Sequence, residues 1–164
     1  GGYGPQHRKV RRVEELIWIR RNDFKRVISV IPAVHNLHNY EEFDIDYVHR
    51  PVSIGAHLTN VLSVLYSDLN KLIKNGERLL LHHEEVGDTI GGTMAGYLVW
   101  NGFVETVPEA VTKMEKTLQR VIGPNGREIA AASESLPTPE EMLAQEEERL
   151  AELEALQDEE QVQE

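Results

Sequence analysis

The sequence predicts a single α/β domain, a largely parallel central sheet flanked by helices in three layers, followed by an acidic C-terminal helix. Three observations lead there. Short apolar runs of strand length are separated by longer stretches of helical periodicity, the pattern of parallel strands joined by crossovers. A chain of 164 residues with 40% hydrophobic content is enough for one core. The net charge of −11 lies entirely in the last segment, where Ser133 to Glu164 carries 12 acidic residues against the single base Arg149, while residues 1–132 balance.

Residues 1–12 are expected to be a flexible basic segment that includes "HRKVRR" (His7 to Arg12). "RRVEELIWIRRND" places Val13, Leu16 and Ile17 on one face and reads as a short amphipathic helix. "RVISVIP" is nearly continuous in Val27, Ile28, Val30 and Ile31 before Pro32 stops it, which suits a strand covered on both faces. A short helix is expected around Tyr40 to Phe43, and "DYVHRPV" is a second strand that ends near Pro51.

In "LTNVLSVLYSDLNKLIKNGE" the residues Leu58, Leu62, Leu65, Leu69, Leu72 and Ile73 recur at three- and four-residue steps. Thr59 is placed to cap this helix and Asn75-Gly76 to end it. "RLLLH" is the third strand. "TIGGTMAGYLVWNG" is a helix whose Gly91, Gly92, Ala95 and Gly96 demand a closely packed neighbour to offset their poor propensity. "TVPEAVTKMEKTLQRVIG" opens with a capping box, Thr106 to Glu109, and is expected to stop at Gly123-Pro124. The body therefore runs over 13–130 and 131–137 is a linker. The tail, 138–164, begins with Thr138 as cap, Pro139 in the first turn and Glu141 closing a second capping box, and carries a thin stripe of Leu143, Leu150, Leu153 and Leu156.

Composition narrows the function. A neutral body argues against general nucleic-acid binding, because phosphate backbones require a basic surface. No apolar run approaches the length of a membrane span or has the form of a signal peptide. The absence of cysteine removes disulfides, thiolate zinc sites and cysteine nucleophiles, and sits easily with a cytoplasmic location.

The chemistry concentrates in "LLLHHEEVGDTIGGTMAGYL", Leu79 to Leu98, where a strand runs through a tight loop into a helix N-terminus. In a parallel sheet such a loop lies at the carboxyl edge, where ligands bind. Converging amides and a helix dipole suit an anion there. Glu84, Glu85 and Asp88 have the opposite tendency, since each like-charge contact costs on the order of 1 kcal/mol or more near a protein surface. Neutralisation is expected from the loop's own amides, from a basic side chain such as Arg50, or from a divalent metal. His83, Glu84 and Asp88 are the candidate metal ligands, and His35, His38, His49 and His57 belong to loops on the same side. The spacing fits no established metal signature, and His82 and His83 point to opposite faces of an extended strand.

From about Val13 to Ile122 the layout resembles the dual-specificity branch of the protein tyrosine phosphatases. "YVHRPV" from Tyr47 to Val52 is similar to a tyrosine-x-histidine-x-proline-valine stretch of that family. "GERLLLH" is similar to the run into its signature loop, a His, a nucleophilic Cys, five residues and an Arg. "MAGYLVWNG" and the Pro-Glu-Ala at Pro108 are further points of likeness. On this resemblance His82 takes the place of the signature His, which orients the loop, His83 the place of the Cys and Thr89 the place of the Arg.

Each departure from that pattern removes a step. Imidazole does not reproduce a low-pKa thiolate. Thr89 offers one hydroxyl where a bidentate guanidinium would clamp phosphate. The general-acid Asp of the family would fall in "SIGAH", Ser53 to His57, where His57 is the only proton donor of suitable pKa.

The resemblance thus implies a degenerate phosphatase with no catalytic residue at His82, His83 or Thr89. Its pocket comprises His83, Glu84, Glu85, Val86, Gly87, Asp88 and Thr89 with Arg50 and His57, and no cofactor is expected. Protein partners are expected at that pocket or at the acidic helix, with neither nucleic acid nor membrane as partner. The competing expectation is a metal-dependent hydrolase in the same pocket, with His83 and Glu84 or Asp88 as ligands and Glu85 as base.

Overall fold

Three apolar runs form three parallel strands in the computed structural model, which describes residues 5–34 and 37–162. They are β1 (Arg26–Ser29), β2 (Tyr47–His49) and β3 (Leu79–His82), in the order β2-β1-β3. Val27 pairs with Tyr47 and Leu80, and Ser29 with His49 and His82. Alternation along the strands divides the core. Val27, Tyr47 and Leu80 face Leu16 and Ile19 of α1 (Pro5–Arg21) and Tyr40 of α2 (His38–Glu42). Ile28, Val30, Leu79 and Leu81 face α3 (Leu58–Lys74) and α4 (Asp88–Trp100), around fully buried Leu62, Leu65 and Tyr66. This is the expected α/β architecture with helices on both faces of the sheet.

Helix α3 ends as its sequence requires. Gly76 takes φ +73° and its N–H reaches the Ile73 carbonyl at 2.9 Å, while Glu77 N–H reaches Leu72 O at 3.1 Å. Its start differs from expectation: the helix begins at Leu58 with His57 in the cap position and no side-chain cap, so Thr59 lies inside the first turn.

Helix α4 makes close contact with α6 (Pro124–Ala132), a helix that its Asn-Gly pair conceals in the sequence. The glycines of α4 permit this approach: a Cβ on Gly92 would fall 2.2 Å from the Gly126 carbonyl oxygen. Gly123-Pro124 therefore starts a helix, with Gly123 as N-cap and Pro124 in the first turn, where a missing N–H costs nothing. The preceding helix, α5 (Val107–Leu118), stops earlier at Gln119, whose φ of 53° is left-handed. Its Thr106 cap accepts from Glu109 N–H as expected, at a long 3.4 Å.

Two segment boundaries also move. The basic stretch is helical from Pro5 rather than flexible up to residue 12. Pro is tolerated at a helix start, and Gln, Arg and Lys are good helix formers. Residues 1–4 lie outside the described residues. The expected linker is packed: a 3₁₀ turn at Ser133–Ser135 buries Ser133, whose hydroxyl donates to Ala130 O at 2.7 Å, and Leu136 joins the core. Trp100 Nε1 donates to Pro137 O at 2.7 Å.

The final helix, α7 (Pro139–Val162), opens with the predicted capping box made in both directions. Thr138 N–H reaches Glu141 Oε2 at 2.9 Å and Glu141 N–H reaches Thr138 Oγ1 at 3.2 Å. Among the described residues no helix is long and apolar enough to cross a membrane.

Candidate functional site

The loop between β3 and α4 stands at the carboxyl edge of the sheet, the position expected for a ligand site in this architecture. Val30 N–H holds the end of β3 by donating to His82 O at 2.9 Å. The strand alternation that puts Leu80 toward α1 also turns His82 to that side. There His82 Nδ1 lies 3.1 Å from the Tyr40 hydroxyl.

Burial is the main reason that His82 has a pKa below the ordinary value; the Glu15 carboxylate partly opposes it, and His83 and Arg12 reinforce it. Burial also pushes Tyr40 up to about 12, so its hydroxyl stays protonated. With the His82 proton on Nε2, Tyr40 donates to Nδ1. This contact ties the end of β3 to α2.

The lowered His82 pKa carries a sign. Between its folded value and the unfolded value of about 6.5, the unfolded chain binds a proton that the folded chain does not. Stability from this group is therefore full above about pH 6.5 and declines as pH falls below it. In denaturant titrations at several pH values, His82→Gln is expected to show a shallower acid-side decline than the parent chain. An unchanged slope would remove burial of His82 as its source.

Beyond His82 the chain turns, so His82 and His83 both line one open groove of about 1050 Å³ between α1 and the loop. The opposite orientation expected of adjacent strand residues is broken because β3 ends at His82. Nδ1 of His83 is buried and has no hydrogen-bond partner among the described residues. Glu84, Glu85 and Val86 are exposed, Gly87 is buried, and Asp88 and Thr89 are half-buried in the first turn of α4.

The loop's charges meet partners that the sequence did not indicate. Asp88 Oδ1 accepts from Gly123 N–H at 2.9 Å, which ties the starts of α4 and α6 together. A Cβ on Gly123 would fall 2.6 Å from Asp88 Oδ2, so a glycine there leaves room for the carboxylate. The Arg120 guanidinium donates to the Val86 carbonyl. Glu115 supports this α5–α6 loop by accepting from Ile122 N–H at 3.0 Å and from Arg127 Nη2 at 2.9 Å.

Arg50, expected near the pocket, instead pairs with Asp68 of α3 at 2.8 Å and donates to His49 O. Arg50 is already engaged as a strut between β2 and α3. Exposed Arg11, with Arg12, brings positive charge to the groove wall from α1. The only sequence signal for that was the basic run at His7 to Arg12.

Among the described residues no histidine besides His82 and His83 lines that groove. His49 Nε2 is 2.7 Å from Ile31 O, His57 is exposed at the cap of α3, and His38 is exposed at the start of α2. His35 lies outside the described residues. Among the described residues no three His, Asp or Glu side chains converge closely enough to hold a metal ion.

No protein-family model matches the chain, and no curated protein sequence does. Solved structures do match. Tk-PTP in its active form superposes with a TM-score of 0.62 at 17% identity, covering 74% of this chain and 85% of that one. DUSP15 superposes at 0.57 with 16% identity, covering 72% and 74%. A DUF442 protein of Shewanella putrefaciens CN-32 superposes at 0.51 with 14% identity, covering 74% and 80%. The chain has a protein-tyrosine-phosphatase-like fold. At these identities the likeness is one of fold, and function rests on the site itself.

Proposed function

We propose that this chain is a pseudophosphatase, a phosphatase-like domain without thiolate turnover that acts in protein recognition. The observation that carries the reading is His83, an imidazole at the end of the β3 run in a chain with no cysteine, with Thr89 in the first turn of α4. A covalent phosphocysteine cannot form without a sulfur nucleophile. No guanidinium occupies the Thr89 position to clamp the transferred group. Glu84 and Glu85 at the exposed mouth oppose a dianion, and their neutral replacements would not.

The groove beside the loop suits a protein surface. It combines apolar Trp18, Ile19 and Val86 with charges of both signs, Arg11 and Glu84 among them. The metal-hydrolase alternative has no specific observation behind it, because its named ligands do not form a three-residue cluster.

The test is a turnover assay together with anion titration. Purified chain is expected to hydrolyse aryl phosphates no faster than a blank, with or without added zinc or manganese, and to bind orthovanadate no tighter than millimolar. Hydrolysis abolished by His83→Ala would overturn the reading, and metal-dependent hydrolysis would restore the alternative.

A further inference from the structure

The groove between α1 and the loop carries more acid than base. Its walls hold Glu14 and Glu15 of α1 and Glu84 and Glu85 of the loop, against only Arg11 and Arg12. Arg11 is already paired with Glu15 at 3.4 Å, and Arg12 and Glu84 are each engaged as well. Glu14 and Glu85, both exposed and one on each side, have no ion-pair partner among the described residues. His82 does not offset them, because burial favours its neutral imidazole.

Between the carboxylates the groove is apolar. Leu16, Ile19 and Ile31 are buried in its floor, with Leu80 half-buried beside them. Trp18 on α1 and Val86 on the loop line it while remaining 53% and 56% exposed.

Such a surface has a defined complement. Uncompensated carboxylates on both sides of an apolar floor match positive charge beside large apolar side chains. Glu14 and Trp18 stand one turn apart on the same face of α1. A carboxylate next to an exposed indole suits a guanidinium or ammonium twice, through its charge and through the ring face. At about 1050 Å³ the groove lies at the top of the roughly 300 to 1,000 Å³ range of small-ligand clefts, and it is open to solvent where they enclose their ligand. Those dimensions suit a length of polypeptide.

We infer that the groove receives a basic segment of a partner protein, in which arginine or lysine lies beside large apolar side chains. The inference rests on the protein-recognition part of the proposed function and names the chemistry of the partner. The loop at the sheet's carboxyl edge thereby presents charge of the sign opposite to that of an anion site.

Fluorescence anisotropy on the full chain tests it, with a labelled peptide of alternating arginine and leucine as the probe. Two further peptides accompany it, one with glutamate in place of each arginine and one with serine in place of each leucine. The arginine-leucine peptide is expected to bind at least about tenfold tighter than either. The acidic α7, with ten acids and one base, also attracts a basic peptide, so variants of the groove decide the site. The double variant Glu14→Gln, Glu85→Gln changes only exposed side chains and is expected to weaken binding about tenfold. Trp18→Ser is expected to do the same, and the double variant Glu14→Arg, Glu85→Arg to shift the preference toward the glutamate peptide.

Four results would overturn the inference. Undiminished binding by the Glu14→Gln, Glu85→Gln chain would place the peptide on α7. Equal binding of the serine peptide would leave bare charge attraction, and tighter binding of the glutamate peptide would select an acidic occupant. Free arginine binding as tightly as the peptide would assign the groove to a small cation. A chain that binds no basic peptide and hydrolyses no aryl phosphate loses this inference and keeps the pseudophosphatase reading, which turnover alone decides.

Discussion

Replacing Gly92 with alanine is expected to destabilise the fold by about 3 kcal/mol or more, even though alanine is the better helix former by about 1 kcal/mol. The added Cβ would lie 2.2 Å from the Gly126 oxygen and 2.7 Å from both its carbonyl carbon and Cα. All three are backbone atoms, so no side chain can swing aside, and α4 and α6 must separate. Separation loosens the contacts that α6 makes through Ile129 and Ala130 and pulls Gly123 from Asp88 at the loop.

Gly91→Ala is the internal control. Its Cβ would meet Ile122 Cδ1 at 2.8 Å and Cγ1 at 2.9 Å, atoms of a fully buried side chain that has to repack but not of the backbone. The gain in propensity offsets part of the overpacking, and a loss of about 0 to 2 kcal/mol, smaller than that of Gly92→Ala, is expected. Chemical denaturation of both variants decides the matter. Equal stabilities would show that α4 and α6 are not held by backbone contact at Gly92. A total stability of about 5 to 15 kcal/mol makes the larger loss visible at once.

These glycines also show how far the chain could be read from its residues. A glycine-rich helix implied a close neighbour, and the neighbour exists. Which segment it was stayed hidden, because Asn125-Gly126 resembles a turn and Gly126 is required only by what lies against it. Local chemistry was legible where both partners are close in sequence. The Thr138–Glu141 box is made in both directions, and Gly76 takes the left-handed conformation expected after α3.

Tertiary partners were not legible. Arg120 and Gly123 reach the loop across 34 and 35 residues, with no spacing rule to announce them. Arg50 had the right charge, but it is already paired with Asp68 of α3. The placement of the loop at the sheet's carboxyl edge was legible because it follows from topology alone.

Topology also separates two parts of the acidic segment that composition treats as one. A chain ending at Ala132 is expected to lose about 3 kcal/mol, which corresponds to a fall in melting temperature of roughly 10 °C for a domain of this size. That cut removes the buried Ser133, the Leu136 and Met142 side chains packed on the core, and the Pro137 carbonyl that accepts from Trp100. Burial of each side chain contributes about 1 kcal/mol or more, and leaving the indole N–H without its partner about 1 kcal/mol further.

A chain ending at Glu148 keeps all of these contacts and the Lys71–Glu146 pair, and its stability as a monomer is expected to stay within about 0.5 kcal/mol of the parent. Thermal melts of both truncations beside the parent chain measure the difference. Equal melting temperatures for the two would mean that the segment from Ser133 to Met142 is a tether after all. A large loss in the longer one would mean that residues beyond Glu148 fold back on the body. The same boundary therefore separates the part of the chain that completes the core from the part of the helix that is exposed along its length.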